Sequence, residues 1–183
     1  RQFTNGFRAS IDGFDIRGGD QQGFPGNINE VTGQPTGLPA NVSTQGGAIF
    51  ANAYARFLQI TNNVIENNGG AYGAVRIGTP DLVGADADQQ NDNVRISRNR
   101  IVNNAGTNLA GGVGVFAGSE GYEVDHNDIC GNFTLEYGGG LSVYGLSPGG
   151  RIHHNAIYLN QANDEGGGVM IAGALPNDPA QAS

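Results

Sequence analysis

"YEVDHNDICGN" (Tyr122 to Asn132) and "GRIHHNAIYLN" (Gly150 to Asn160) are two spellings of one phrase. Val124 and Ile152, Asn127 and Asn155, Ile129 and Ile157, and Asn132 and Asn160 each stand 28 residues apart. Written I-x-x-N-x-I-x-x-N, the phrase recurs upstream as "ITNNVIENN" (60–68) and "ISRNRIVNN" (96–104). A degenerate copy, "IDGFDIRGG" (11–19), keeps Ile11 and Ile16 in register. A second phrase follows each copy: "GGAIFAN" from Gly46, "GAVRIG" from Gly73, "GGVGVFAG" from Gly111, "GGLSVYG" from Gly139 and "GGVMIAG" from Gly167. Two independent phrases on one period mark a repeat architecture. The spacing stretches to 36 between Ile60 and Ile96 and to 49 between Ile11 and Ile60, and the added residues, near 78–93 and 20–45, are polar and turn-forming.

Each repeat is too small to hide its own apolar side chains, so the units must stack. The apolar residues come in short alternating pairs broken by Gly or Asn, which is strand periodicity, and no window sustains a helical stripe. Three short strands per coil, each pairing with its equivalent one coil on, bury every apolar column in a single core. The expected fold is therefore all-β: a right-handed parallel β-helix of about five coils in one domain over residues 1–183. Asn at the corners tolerates a left-handed backbone, and stacked amides can hydrogen-bond from coil to coil. The absence of an amphipathic capping helix leads us to expect a segment of a larger protein.

Composition narrows the partners. Gly is 32 of 183 residues without a Gly-X-Y period, which excludes collagen. All nine basic residues are Arg, and the net charge of -8 repels nucleic acid and anionic membranes. No apolar run reaches the length of a membrane span. A single Cys, Cys130, forms no disulfide framework and has no activating base in its column.

The phrase set from Ile11 to Gly173 resembles the right-handed parallel β-helix repeat superfamily, which includes pectate lyases, polygalacturonases, alginate epimerases and phage tailspikes. In the terms of that family, "GGLSVYG" looks like the first strand of a coil, "RIHHN" the second, "NAIYL" the third and "NQANDEGG" the return loop. The resemblance implies that polysaccharide-active members work along the first-strand face. The same coil serves enzymes, adhesins and stalks, so function must come from the site.

Strand alternation puts Phe50, Asn52, Arg76, Gly114, Phe116, Ser142, Tyr144, Met170 and Ala172 on the outer side of that face. No carboxylate is among them, and no position matches the catalytic motifs of the family. Phe50, Arg76, Phe116 and Tyr144 are the candidate ligand-binding residues: Phe116 and Tyr144 share a column, with rings expected to stack, and Arg76 is expected to be available to a carboxylate. The long 20–45 loop is expected to wall one side of a groove. In the return loops, Glu136 and Asp164 fall one coil apart, so two adjacent carboxylates could hold Ca²⁺ or share a proton, or simply be solvated. The acidic "DADQQND" (86–92) has the density of a Ca²⁺ loop without the EF-hand pattern.

On the second strand, Arg95, Glu123 and Arg151 form one outward column and Ser97, Asp125 and His153 the next. Opposite charges alternating down the first support the sheet, and Asp125 is expected to be an exposed, weakly contributing partner. Asp125 and His153, with His126 and His154 adjoining, could instead take a transition metal. Asn41-Val-Ser and Asn132-Phe-Thr fit the glycosylation sequon. The expected function is an extracellular or cell-surface scaffold or binding surface, for a polysaccharide or neighbouring domains of the same protein. The competing reading is a lyase or epimerase acting on uronic-acid polymers.

Overall fold

The computed structural model describes residues 3–19, 47–80 and 88–173. The first coil carries β1 (Ser10–Asp12), β2 (Asp15–Arg17) and β3 (Ile49–Ala51). The second carries β4 (Gln59–Thr61), β5 (Val64–Glu66), β6 (Gly69–Gly70) and β7 (Val75–Ile77). The third has β8 (Arg95–Ser97), β9 (Arg100–Val102), β10 (Ala105–Gly106) and β11 (Val113–Phe116). The fourth has β12 (Glu123–Asp125), β13 (Asp128–Cys130), β14 (Phe133–Thr134) and β15 (Leu141–Tyr144). The fifth has β16 (Arg151–His153), β17 (Ala156–Tyr158), β18 (Gln161–Ala162) and β19 (Val169–Ala172).

Every strand pairs in parallel with its equivalent in the next coil, giving the sheets β1-β4-β8-β12-β16, β2-β5-β9-β13-β17, β6-β10-β14-β18 and β3-β7-β11-β15-β19. The chain is a parallel β-helix solenoid. Three of the ladders are those expected, and the structure adds a fourth, two residues wide, just after the second Asn of each repeat. The 20–45 insertion, the groove wall expected there and Asn41 lie outside the described residues. Among the described residues, no helix is long and apolar enough to cross a membrane.

In the sheets of β4 and β5 the central side chain of each three-residue strand points inward, whereas in β7 the flanking ones, Val75 and Ile77, do so. Ile60, Ile96 and Val124 form one buried column and Ile65, Ile101 and Ile129 another. Val75, Val113 and Leu141 line the opposite wall. Along β19, Val169 and Ile171 continue the columns of Leu141 and Val143 but are 38% and 70% exposed.

The corners carry the second specification. Asn63, Asn99, Asn127 and Asn155 form one buried ladder, and Asn68, Asn104, Asn132 and Asn160 the other. Asn99 Nδ2 donates to Asn127 Oδ1 at 3.0 Å and to the Ile60 carbonyl at 2.8 Å, while its backbone N–H reaches the same Oδ1 at 2.9 Å. Each inner rung thereby satisfies its own amide and a backbone carbonyl that the turn leaves free. Asn132 is such a rung, with its Nδ2 committed to Ile101 and Asn160, so folding removes it from glycosylation.

The left-handed residue is not the ladder Asn, as expected for Asn127, but the one before it. Positive φ falls on Asn62, Arg98, His126 and His154 at one corner and on Asn67, Asn103, Gly131 and Leu159 at the other. The αL residue turns the chain and aims the following Asn side chain inward.

Two glycine sites show how closely the coils approach. A Cβ on Gly112 would lie 2.5 Å from the Gly140 carbonyl oxygen, so the paired glycines of the second phrase mark backbone stacked on backbone. A Cβ on Gly150 would lie 1.9 Å from the ring of Tyr122, which is buried where earlier coils place Leu58 and Val94.

Replacing Asn127 by Val removes four side-chain hydrogen bonds, to the Asn99 N–H, Asn99 Nδ2, the Ile96 carbonyl and Asn155 Oδ1, and is expected to cost about 3 to 5 kcal/mol in urea unfolding. Replacing the exposed αL residue Arg98 by Gly is expected to be neutral or to stabilise by up to about 1 kcal/mol. Equal losses would refute the division of labour between the two adjacent corner positions.

Candidate functional site

The face built by β3, β7, β11, β15 and β19 brings Phe50, Arg76 and Phe116 together and adds Tyr72, which precedes β7. The Arg76 guanidinium carbon sits 4.2 Å from the Phe50 ring centre, 4.3 Å from that of Tyr72 and 5.9 Å from that of Phe116. Arg76 Nε donates to the Gly78 carbonyl at 2.8 Å, and an Nη reaches the Thr79 hydroxyl at 2.9 Å. That hydroxyl donates in turn to Asn52 Oδ1 at 3.1 Å. Burial lowers the pKa of Arg76 to about 10, which leaves it cationic at neutral pH.

This corrects two expectations. Arg76 is outward but covered, 1% exposed, and is not open to a carboxylate from solution. Phe116 is likewise fully buried and does not stack on Tyr144 despite their matched register. Its ring turns back over Gly114, where an added Cβ would lie 2.9 Å from it, and meets Tyr72 edge-on at 5.7 Å. A missing side chain two residues back on the same strand gives the ring its seat. Of the four candidates, Phe50 is 41% exposed and Tyr144 is partly exposed.

Comparison with known proteins adds no relative. No protein-family model, curated protein or solved structure matches this sequence.

Glu136 and Asp164 do lie together at the return corner, where the Asp164 N–H donates to the Glu136 carbonyl at 3.2 Å. Burial and the charge of Asp164 push Glu136 up. The charges of Asp164, Glu136 and Glu165, with some burial, do the same to Tyr137. Among the described residues, the three-carboxylate cluster is elsewhere: Asp88, Asp92 and Glu120 bring ligand atoms within 4.8 Å of one another. An all-oxygen set suits a hard cation. Asp92 is already paired with Arg56 at 3.2 Å. Burial, then a hydrogen bond with Asp92 and the charges of Asp92 and Asp88, push Glu120 up to about 7. Sequence reading found the 86–92 half of this cluster; Glu120 arrives from the following coil and only the stacking reveals it.

Asp125 also departs from expectation. Instead of an exposed pair it is a fully buried carboxylate, held in a fork by Arg95 with both contacts at 2.8 Å. Ser97 Oγ donates to it at 2.9 Å and His126 Nδ1 lies 2.7 Å away. Burial raises its pKa, but the hydrogen bonds from Arg95, His126 and Ser97 more than offset this and hold it well below the usual range. Arg95 also reaches Glu123 at 3.3 Å, so that step of the charge column is an ion pair and helps close over Asp125, while Glu123 Oε1 meets His153 Nε2 at 2.9 Å. Cys130 pairs in register with Tyr158, whose hydroxyl its hydrogen bond, and then that of Asp128, push up to about 12.

Two predictions follow from these carboxylates. Asp125→Ala is expected to cost about 2 to 4 kcal/mol, and because the folded pKa is depressed, the contribution is complete above the ordinary value and lost as pH falls below it. Urea midpoints that match the parent would contradict the buried fork. Glu120 behaves oppositely. Its raised pKa makes the fold lose stability as pH rises from the ordinary carboxylate value of 4.5 to about 7, and Glu120→Gln should flatten that slope in melts at pH values spanning the window.

Proposed function

We propose that this chain is a non-catalytic β-helix scaffold, extracellular or at a cell surface, whose first-strand face binds polysaccharide, and that it belongs with the right-handed β-helix repeat proteins it resembles. The observation that carries the reading is the Phe50 ring, 41% exposed and held against the buried Arg76 guanidinium at 4.2 Å. A flat aromatic surface locked from behind loses little freedom on contact and suits the apolar face of a sugar ring. Tyr144 lies three coils along the same sheet, about 14 Å away at the usual strand spacing, so the pair spans a chain rather than a single sugar. The outward positions of this face carry no carboxylate among the described residues, where a glycosidase needs two.

The competing reading, a lyase or epimerase acting on uronic-acid polymers, draws support from Glu120. Its pKa of about 7 suits proton transfer at neutral pH, and it stands at the corner after β11.

Titrating the chain with pectate, alginate and a neutral glucan oligosaccharide distinguishes the readings. The scaffold reading predicts saturable binding to at least one polymer without new unsaturated uronate absorbance. Phe50→Ala with Tyr144→Ala should lower that affinity at least about tenfold while the thermal midpoint holds. Robust turnover, or binding indifferent to both rings, would sink it.

A further inference from the structure

All three histidines of the chain converge on one corner of the solenoid. His126 and His154 occupy its αL position in successive coils and stack face to face, 5.0 Å between ring centres and 3° from parallel. His153, at the end of β16, stands nearly perpendicular to His154, with its centre 5.0 Å away. Its Nδ1 lies 2.7 Å from His154 Nδ1. Two ring nitrogens of separate imidazoles thus meet at the surface.

The neighbouring carboxylates decide which nitrogens carry protons. His153 Nε2 lies 2.9 Å from Glu123 Oε1, and an ionised carboxylate only accepts, so Nε2 holds the proton and Nδ1 keeps its lone pair. His126 Nδ1 donates to Asp125 Oδ2 at 2.7 Å, which fixes that ring and, through the stack, the plane of His154. One proton on His154 Nδ1 then suffices to join the two converging nitrogens. A divalent ion can replace it. Nitrogens bound to one Zn²⁺ at about 2.0–2.1 Å are separated by about 2.9–3.4 Å for angles from square to tetrahedral, so the pair need open by only a few tenths of an ångström.

We propose that His153 and His154 form a surface site for a first-row divalent transition metal such as Zn²⁺ or Cu²⁺, bound through both Nδ1 atoms, with Glu123 as the positioning residue that orients His153. Imidazole donors favour these ions over Ca²⁺ and Mg²⁺, which the oxygen cluster at Asp88, Asp92 and Glu120 suits instead. A carboxylate on the far nitrogen of a ligating histidine is the usual outer-shell arrangement of such sites. The remaining coordination positions face solvent, since this contact is exposed, and stay available to water or to a donor from another molecule.

The test uses the full chain without a histidine tag, stripped of metal and titrated with Zn²⁺ by calorimetry. The parent should take up one equivalent. His153→Ala with His154→Ala should weaken that uptake by at least about 100-fold, and Glu123→Gln by about 10- to 100-fold. Electron paramagnetic resonance of the Cu²⁺ form should show coupling to two imidazole nitrogens in the parent and lose it in the double variant, a readout that a purely structural role would not move. No saturable uptake by the parent, or an equivalent retained by a folded double variant, overturns the site. Unchanged affinity in Glu123→Gln overturns the role of Glu123.

Discussion

The rest of the solenoid hangs on the amide–amide hydrogen bond between an Asn and its counterpart one coil on. Strand edges alone would let a coil slide along its neighbour, because a run of parallel pairing with similar Ile and Val columns has no strong preference for register. A side chain that must meet its equivalent at 2.9–3.0 Å, while capping a carbonyl at the corner, admits one alignment. With two such ladders at successive corners, the inward direction of every central Ile follows. The first coil shows what the ladder requires: Phe14 and Gly19 can offer only a backbone N–H to Asn63 and Asn68, and there the row of amides stops.

Most of this was legible in the sequence because a period is a geometric statement. Once Val124 and Ile152 are one coil apart, so are all the residues between them, and the outward columns on each strand came out in the observed register. What the period does not encode is depth. Arg76, Phe116 and Asp125 point away from the core as alternation requires, yet all are buried. Each is covered by something the column does not contain: Tyr72 from the preceding turn, the empty seat above Gly114, or an Arg95 side chain leaning across from the neighbouring column. The left-handed residue was misplaced by one position for a similar reason. Asn suits both a corner and a ladder, and the pattern alone cannot assign the two tasks to adjacent residues.

The polar features share a physical style. Several carboxylates meet a partner from another coil, down the axis of the solenoid: Asp125 with Arg95, Glu123 with His153, Glu120 with Asp92. Each such group is meaningful only in the stacked state, and its protonation is tied to the stacking of its coils.

The corner after β7 has one more consequence. The described residues on either side of it are tied to each other and to the coil before: Gln89 spans Thr79 with bonds of 2.8 and 2.7 Å, and Asn91 receives the Ala55 N–H and donates to the Asn52 carbonyl. The two sides are held by the solenoid whatever lies between them. Doubling the length of such an insert costs only about 0.6 kcal/mol of closure entropy. The position is therefore a natural socket for grafting foreign peptides, which the coil would display at a fixed place on an otherwise unchanged rod.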